Sequence, residues 1–430
     1  MNKNATPIAN NPHPATAEPA PTRLLSLDAF RGLVIVVMFL VNVGGTDEAF
    51  RLGAWAPAQY RTWMPHMGWN GGRMGNGLAD YVFPWFLFIV GAAIPFSMNS
   101  GRGRGRAWWM HMLHALRRGM VIYLLGSLMW AATIGYRPED AGATWAGPID
   151  WRIFLHWDIL PLIGLGYFVG VTLYHTPRWA QIIFVAVVLV LKWYLLKGAT
   201  PPECDGWVDA LEKHQSLHQT LGPRLGIPGW WSTLITQGTA FSIIVVIGSL
   251  VGEMVRVGRI GSANAAGPDR VTLRLGVVGA ALSIAAIGWW LLADFPFSKD
   301  FVSPTYILIT SGTGTLMLAG MLWIVDVKRW SQLTWLRVYG TNALFAYVLA
   351  EFLWKTVLTR WHVVLPPSFQ PATLAAGSKP ESAWAITAFK AWLQEGFGNP
   401  LGAYLVIALY IGAYWAVCFV LFQRKLFIKV

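Results

Sequence analysis

The sequence predicts an all-α integral membrane protein that crosses the bilayer about ten times, with both termini in the cytoplasm. Three observations predict this class. Of the 430 residues, 55% are hydrophobic and only 13% are charged, whereas a soluble protein carries about 25% charged residues. Apolar runs of about 17–25 residues, long enough to cross a ~30 Å hydrocarbon core as helices, recur along the chain. The 25 tryptophans also suit a membrane protein, because tryptophan is enriched at bilayer interfaces.

The segments follow in order from this pattern. Residues 1–22 are rich in Pro, Ala and Asn and lack the apolar core of a signal peptide, so we expect a disordered cytoplasmic tail. Residues 23–430 then form a single transmembrane domain, because no loop is long enough to fold separately. The predicted spans are 27–45, 78–98, 119–135, 157–174, 179–196, 232–252, 274–293, 304–325, 338–356 and 401–422.

Basic residues predict the orientation of these spans. The connection 101–118 carries five arginines and no acidic residue, and connections rich in Lys and Arg face the cytoplasm. The loops 46–77, 197–231 and 357–400 then face outward. The net charge of +12 does not indicate a nucleic-acid partner, because the basic residues cluster beside the apolar runs rather than on one soluble face.

Polar side chains inside the first two spans are candidates for function, because their burial in a bilayer is costly. Asp28 and Arg31 lie three residues apart near the cytoplasmic end of the first span, and a local ion pair is the alternative interpretation. Asn42 lies near the outer end of that span, where a helix–helix contact is the alternative. Asp80 lies in the first turn of the second span, where capping of the helix is the alternative.

The ninth predicted span carries a second polar set, "YGTNALFAYVLAEFLWK". Asn342 would lie near its cytoplasmic end and Glu351 nearer its outer end, with Tyr347 between them. A glutamate at that depth needs a partner, and Lys355 four residues on is the local alternative.

His66 is the most unusual titratable residue, because it lies in the apolar, glycine-containing loop "TWMPHMGWNGG". Asn42 and Asp80 should lie at the same outer level as this loop. Imidazole is the side chain best suited to proton transfer near neutral pH, although a structural histidine is the alternative. The pair His214 and His218 lacks the glutamate of an HExxH motif, so we expect no metal site.

Three consecutive motifs carry a resemblance to a known family. "SLDAFRGLVIVVMFLVNVGG", "HMGWNG" and "LADYVFPWFLFIVGAAI" occur in this order, and "FPFSKDFVSPTYIL", "VDVKRW", "GTNALFAYVLAEF" and "RKLFIKV" continue the pattern. The chain therefore resembles the heparan-α-glucosaminide N-acetyltransferase family of transmembrane acyltransferases, which includes bacterial NagX-type proteins. The resemblance implies transfer of an acetyl group from cytoplasmic acetyl-CoA to the amino group of a glucosamine-type sugar on the far side of the membrane. It also implies a bacterial inner membrane, with the His66 loop at the periplasmic face, and suggests a homodimer.

The resemblance assigns roles to individual residues. His66 is expected to act as the general base or to carry the acetyl group transiently, with Asn42 stabilising the oxyanion or orienting His66 and Asp80 orienting His66 or the acceptor. The other expected site residues divide into two groups: Asp28, Arg31, Arg118 and Asn342 toward acetyl-CoA, and Trp69, Asn70, Tyr347 and Glu351 toward the sugar.

One departure and one alternative accompany these expectations. Pro161 and Leu162 stand where relatives often carry Gln-Arg, so the contact of that arginine is absent or replaced. An amino-sugar permease is the alternative function, because polar residues inside spans also mark transport pathways.

Overall fold

The structure is a computed structural model that describes most of the spans and leaves several loops aside. It describes residues 24–44, 77–100, 105–134, 157–227, 234–260, 268–358 and 401–428, with short stretches at 362–364, 382–384, 389, 392–393 and 396–398. The predicted tail 1–22 and the predicted site residues His66, Trp69 and Asn70 lie outside the described residues. The predictions for them therefore stand as predictions.

The described chain is almost entirely helical, because its apolar runs satisfy their backbone hydrogen bonds internally as helices. A two-stranded antiparallel hairpin, β1 (His362–Val364) with β2 (Ser382–Trp384), lies within the predicted outer loop 357–400 and pairs Val363 with Ala383. The α-helices are α1 (Leu25–Gly44), α2 (Leu78–Met98), α3 (Trp108–Ile134), α4 (Ile159–Tyr174), α5 (Arg178–Trp193), α6 (Trp207–Glu212), α7 (Leu217–Arg224), α8 (Thr239–Ile260), α9 (Pro268–Ala293), α10 (Pro304–Met321), α11 (Thr334–Thr341), α12 (Ala343–Leu353) and α13 (Leu401–Gln423).

The prediction of an all-α polytopic membrane protein is confirmed. Seven described helical segments are long and apolar enough to cross a membrane: Leu25–Asn42, Leu78–Met98, Arg178–Gly198, Leu234–Gly258, Asp269–Ala293, Pro304–Val327 and Tyr404–Gln423. The other three predicted spans also correspond to helices, and the total of ten stays a prediction. Of these, α3 begins at Trp108, well before the predicted start at 119, and α4 has only 16 residues.

The ninth predicted span, 338–356, is helical but divided into two helices and a π-helical turn. It consists of α11 and α12, which meet at Asn342 with φ −128° and ψ 35°. A π-helical turn, Trp354–Leu358, then extends α12. At the break, the Asn342 side chain bonds a distant segment of the chain, as described below.

Close backbone contact between α1 and α11 brings the two polar helix segments of the site together. A Cβ atom on Gly340 would lie 1.7 Å from the Asp28 carbonyl oxygen, and one on Gly32 would lie 1.8 Å from the Leu336 carbonyl oxygen. Only glycine fits at either position, and small residues are the usual means by which membrane helices approach closely. This contact sets Asp28 of α1 beside the end of α11.

The core and the periphery of the bundle differ sharply in exposure. Phe30, Phe39, Phe88, Tyr306 and Tyr339 are among the largest fully buried side chains, and they come from α1, α2, α10 and α11. By contrast, α9 exposes a row of apolar side chains that includes Leu273, Ile284 and Leu292. An apolar stripe of this kind faces lipid in a membrane protein. The site described next lies instead among the buried helices α1, α2, α4 and α12.

Candidate functional site

The polar residues at the outer end of α1 line a cavity of about 240 Å³. We call it the outer cavity, because Asn42 lies at the end of α1 that is predicted to face outward. Its polar lining comes from Asn42, Lys299, Tyr347 and Glu351, and its apolar walls come from α1, α2 and α4. The predicted residues Asn42, Tyr347 and Glu351 are thus brought together from two ends of the sequence.

A second cavity, of about 310 Å³, lies toward the arginines at the other end of the same helices. We call it the inner cavity. Arg31 and Arg118 supply its two cations, and Ser97 and Thr341 add hydroxyl groups. None of the described residues that line it is acidic, so it favours an anionic ligand.

The two cavities share part of their walls. Phe86 of α2 and Ile163 of α4 line both of them. The cavities therefore follow one another along α1, from Arg31 to Asn42, a distance of about 16 Å at 1.5 Å per residue. We refer to the two adjoining cavities together as the passage, and its two ends differ in chemical character.

Asn42 and Glu351 connect α1 to α12 at the outer end of this passage. The Asn42 amide nitrogen, Nδ2, lies 3.5 Å from the Glu351 oxygen Oε1, at the limit of a hydrogen bond. The structure therefore contains the helix–helix contact that was the alternative interpretation of Asn42. Its partner in that contact, Glu351, is also a predicted site residue. The Lys355 side chain lies outside the described part of the chain, which leaves the alternative of a Lys355–Glu351 pair untested.

Asp80 is buried, with 1% of its surface exposed, and it caps α2. The Gly77 backbone N–H donates to Asp80 Oδ2 over 3.0 Å, as the capping alternative predicted. In addition, Asp80 Oδ1 lies 3.5 Å from Lys299 Nζ, and the Tyr306 hydroxyl donates to the Asp80 carbonyl oxygen over 2.5 Å. These three contacts hold Asp80 in place, and one of its partners, Lys299, lines the outer cavity.

Lys299 is a site residue that the sequence interpretation missed. The only available signal was its position in the motif "FPFSKDFVSPTYIL". Burial lowers the pKa of its ammonium group, and the neighbouring Asp80 carboxylate opposes that shift. The loop that carries Lys299 is held by Ser303, whose hydroxyl accepts from the Ser298 N–H at 3.0 Å and donates to the Pro296 carbonyl oxygen at 3.1 Å.

Asp28 and Arg31 form the predicted local ion pair at the inner end. Arg31 Nη1 lies 3.4 Å from Asp28 Oδ1, and Arg31 lines the inner cavity. Asp28 is buried and touches the Gly340 backbone region described above. It orients Arg31, since a carboxylate three residues earlier on a helix restricts the guanidinium to one side.

Arg118 of α3 supplies the second cation of the inner cavity. Its guanidinium carbon lies 4.7 Å from the centre of the Tyr167 ring, in a cation–π contact. Both residues line the inner cavity. The contact holds the guanidinium at the cavity wall, and arginine binds phosphate oxygens through paired hydrogen bonds.

Asn342 is buried, and its side chain contacts the backbone that follows α13, including Ile428, which lines the inner cavity. Its Nδ2 donates to the Leu426 carbonyl oxygen over 3.2 Å, and its Oδ1 accepts from the Ile428 N–H at 2.9 Å. Its neighbours Thr341 and Ala343 line the inner cavity. Asn342 therefore does not line the inner cavity itself but holds or adjoins residues that do.

Pro161 and Leu162, the departure from the motif pattern, are both buried, and Pro161 lies in the contact between α3 and α4. A Cβ atom on Gly126 of α3 would lie 2.5 Å from Pro161 Cδ. Pro161 therefore packs directly against the backbone of α3.

The predicted pair His214 and His218 does not converge. His218 is buried, and its Nε2 lies 2.6 Å from Lys192 Nζ, whereas His214 contacts Gln219. Burial lowers the pKa of His218 to about 3, so this imidazole is neutral at physiological pH. His218 alone packs the predicted outer loop 197–231 against α5, through Lys192.

The chain is similar to two curated N-acetyltransferases. No family model matches it. It is 31% identical over 170 residues to the heparan-alpha-glucosaminide N-acetyltransferase of Mus musculus and 30% identical over 165 residues to that of Homo sapiens. Each match covers 38% of this chain and 21% of the relative, so the matched region spans about a fifth of the relatives' length. These similarities agree with the resemblance carried by the sequence motifs, and the narrower NagX-type resemblance stays a prediction.

Proposed function

We propose that this protein is a membrane acetyltransferase that moves an acetyl group from cytoplasmic acetyl-CoA to the amino group of a glucosamine-type sugar at the outer, periplasmic face. The observation that carries the proposal is the pair of cavities that share Phe86 and Ile163 and differ in charge at their two ends. The similarity to two N-acetyltransferases supports the reaction type.

The inner cavity suits the nucleotide part of the donor. Arg31 and Arg118 present two guanidinium groups, and charge-assisted, bidentate contacts with phosphate oxygens are the strongest hydrogen bonds available to such groups. The apolar walls beyond them suit an extended acyl arm. A donor held in this way directs its thioester past Phe86 and Ile163 toward Asn42.

The outer cavity suits an amino sugar. The Glu351 carboxylate attracts an ammonium group or accepts hydrogen bonds from sugar hydroxyls, and Tyr347 offers an aromatic surface beside it. Lys299 holds the buried Asp80 carboxylate in a charge-neutral pair, which leaves Glu351 as the anion that meets the acceptor among the described lining residues.

The chemistry of the proposed transfer follows from these positions. His66 removes a proton from the amine, the amine nitrogen attacks the thioester carbonyl carbon, and the Asn42 amide donates to the developing oxyanion. As the C–N bond forms, the C–S bond breaks, and the CoA sulfur leaves as a thiol after it takes up the proton. In the two-step version, a His66 ring nitrogen attacks the thioester carbon and the C–S bond breaks with release of the CoA thiol; the amine then attacks the acetyl-imidazole, the bond to His66 breaks, and the imidazole takes the amine proton.

The test measures transfer of labelled acetyl from acetyl-CoA to glucosamine by the purified protein. The wild type is expected to form N-acetylglucosamine, and His66→Ala is expected to lose about 100-fold or more in kcat, because general-base catalysis contributes about 10²–10⁴-fold. His214→Ala is the matched control, since His214 is an exposed histidine of an outer loop. An unaltered rate for His66→Ala contradicts the assignment of His66.

The permease alternative uses the same passage for a different purpose, and one further measurement separates the two. Proteoliposomes that contain the protein are supplied with labelled glucosamine outside and with or without acetyl-CoA inside. The acetyltransferase forms N-acetylglucosamine only when acetyl-CoA is present. Accumulation of unmodified glucosamine, with no product, identifies a permease instead.

A further inference from the structure

The segment 424–428 turns back onto the helix bundle directly after α13. The Lys425 N–H donates to the Phe422 carbonyl oxygen over 3.1 Å, and the Leu426 N–H donates to the Leu421 carbonyl oxygen over 2.9 Å. This pair of hydrogen bonds is a Schellman motif, which ends a helix and reverses the chain. Lys425 has φ +54° in this turn, the left-handed conformation that glycine or asparagine adopts more readily.

Asn342 fixes the reversed segment at two points. One side-chain amide donates to the Leu426 carbonyl oxygen and accepts from the Ile428 N–H, as a backbone peptide group does between paired strands. Asn342 is itself 1% exposed and lies at the break between α11 and α12. Both hydrogen-bonding groups of a buried amide are therefore used on a segment 84 to 86 residues away in the sequence.

The fixed segment reaches the inner cavity. Ile428 lines it together with Arg31, Arg118 and Thr341. Arg424 and Lys425, at the start of the segment, are exposed. The segment thus adds an apolar wall residue to the inner cavity and brings two further cations to the same end of the bundle.

We propose that the segment 424–428 is part of the acyl-donor site and that Asn342 is the positioning residue that holds it there. Ile428 packs against the acyl arm of the donor, and Arg424 and Lys425 attract its phosphate groups. This inference rests on the proposed function, because it takes the inner cavity to be the donor end of the passage.

The test compares steady-state constants for acetyl-CoA and for glucosamine. Asn342→Ala removes both hydrogen bonds and is expected to raise KM for acetyl-CoA by about tenfold, since two net hydrogen bonds correspond to a change of this order. The kcat and the KM for glucosamine are expected to stay within about twofold, because the outer cavity does not change. Asn99→Ala is the matched control, since Asn99 is another polar residue at the same end of the bundle, bonded to Tyr174 and Pro95.

Two further variants keep the test decisive. Ile428→Ala changes only an exposed-edge wall residue and is expected to raise the acetyl-CoA KM by about threefold with an unchanged melting temperature. A chain that ends at Gln423 is expected to match Asn342→Ala, and the combination of the two is expected to be no worse than either, because both act through the same segment. Additive effects contradict the positioning role of Asn342.

The outcomes also separate this inference from the proposed function. If the wild type transfers acetyl groups and all three variants keep the wild-type KM for acetyl-CoA, the inference is overturned and the proposed function stands. If the wild type neither binds CoA nor forms N-acetylglucosamine, both are overturned.

Discussion

The inner and outer cavities share two wall residues but differ in the charges that they present. The inner cavity carries Arg31 and Arg118 and no acidic residue among those described in its lining, whereas the outer cavity carries Glu351 and Lys299. An end with two arginines, one of them paired with Asp28 behind it, suits a polyphosphate, and an end with a carboxylate suits an amine or a hydroxylated sugar. The comparison teaches that adjoining cavities in one bundle can differ in charge, and under the proposed function each would take one of the two substrates.

The junction between the cavities gives the largest expected effect. Phe86→Trp enlarges the side chain that lines both cavities and is expected to lower kcat by about 100-fold, because a displacement of about 1 Å between reacting groups costs this much. Binding of CoA and of glucosamine, measured separately by equilibrium titration, is expected to change little. Phe352→Trp is the control, since Phe352 lies on the exposed side of α12. Equal losses in both variants would show that the junction has no special role.

The difference in charge between the cavities is tested by two variants that are expected to raise the KM of different substrates. Glu351→Gln is expected to raise KM for glucosamine by about 10- to 100-fold, the value of one charge-assisted hydrogen bond, and to leave KM for acetyl-CoA unchanged. Arg118→Gln is expected to do the reverse. Steady-state titration of each substrate at saturating concentrations of the other provides the measurement, and a shift of both constants in both variants contradicts the division of roles.

The close contact between α1 and α11 gives the smallest expected effect, which appears in stability. Gly340→Ala inserts a methyl group into the Asp28 backbone and is expected to destabilise the fold by about 1–3 kcal/mol, the usual range for overpacking. Gly276→Ala on α9 meets no atom within 4 Å and is expected to be neutral or slightly stabilising. Thermal unfolding in detergent compares the two, and equal melting temperatures would show that α1 and α11 can separate without loss.

Several site features were accessible from the sequence because they depend on local spacing. The Asp28–Arg31 pair and the cap of α2 by Asp80 connect residues within one helical turn, and a period of 3.6 residues makes such contacts predictable. The family motifs also pointed to Asn42, Tyr347 and Glu351, which the structure gathers at the outer cavity. The predicted roles of His66, Trp69 and Asn70 stay predictions, because these residues lie outside the described part of the chain.

Other features depend on contacts between residues far apart in the sequence. The Asp80–Lys299 pair and the bond from Asn342 to the segment 424–428 connect positions that no periodicity relates. The hydropathy of the ninth predicted span is continuous and gave no sign of the break at Asn342, which is visible only in the structure.

The sequence by itself determined that this chain forms membrane helices, because runs of apolar residues in lipid have almost no other way to satisfy their backbone. It also determined most of the helix-bound candidate residues through the motifs. Only the tertiary structure decided that these residues face two adjoining cavities, that Lys299 neutralises Asp80, and that Asn342 holds a distant segment. Those outcomes depend on how close the helices approach, and that distance is set by side-chain packing across the bundle, as at Gly32 and Gly340.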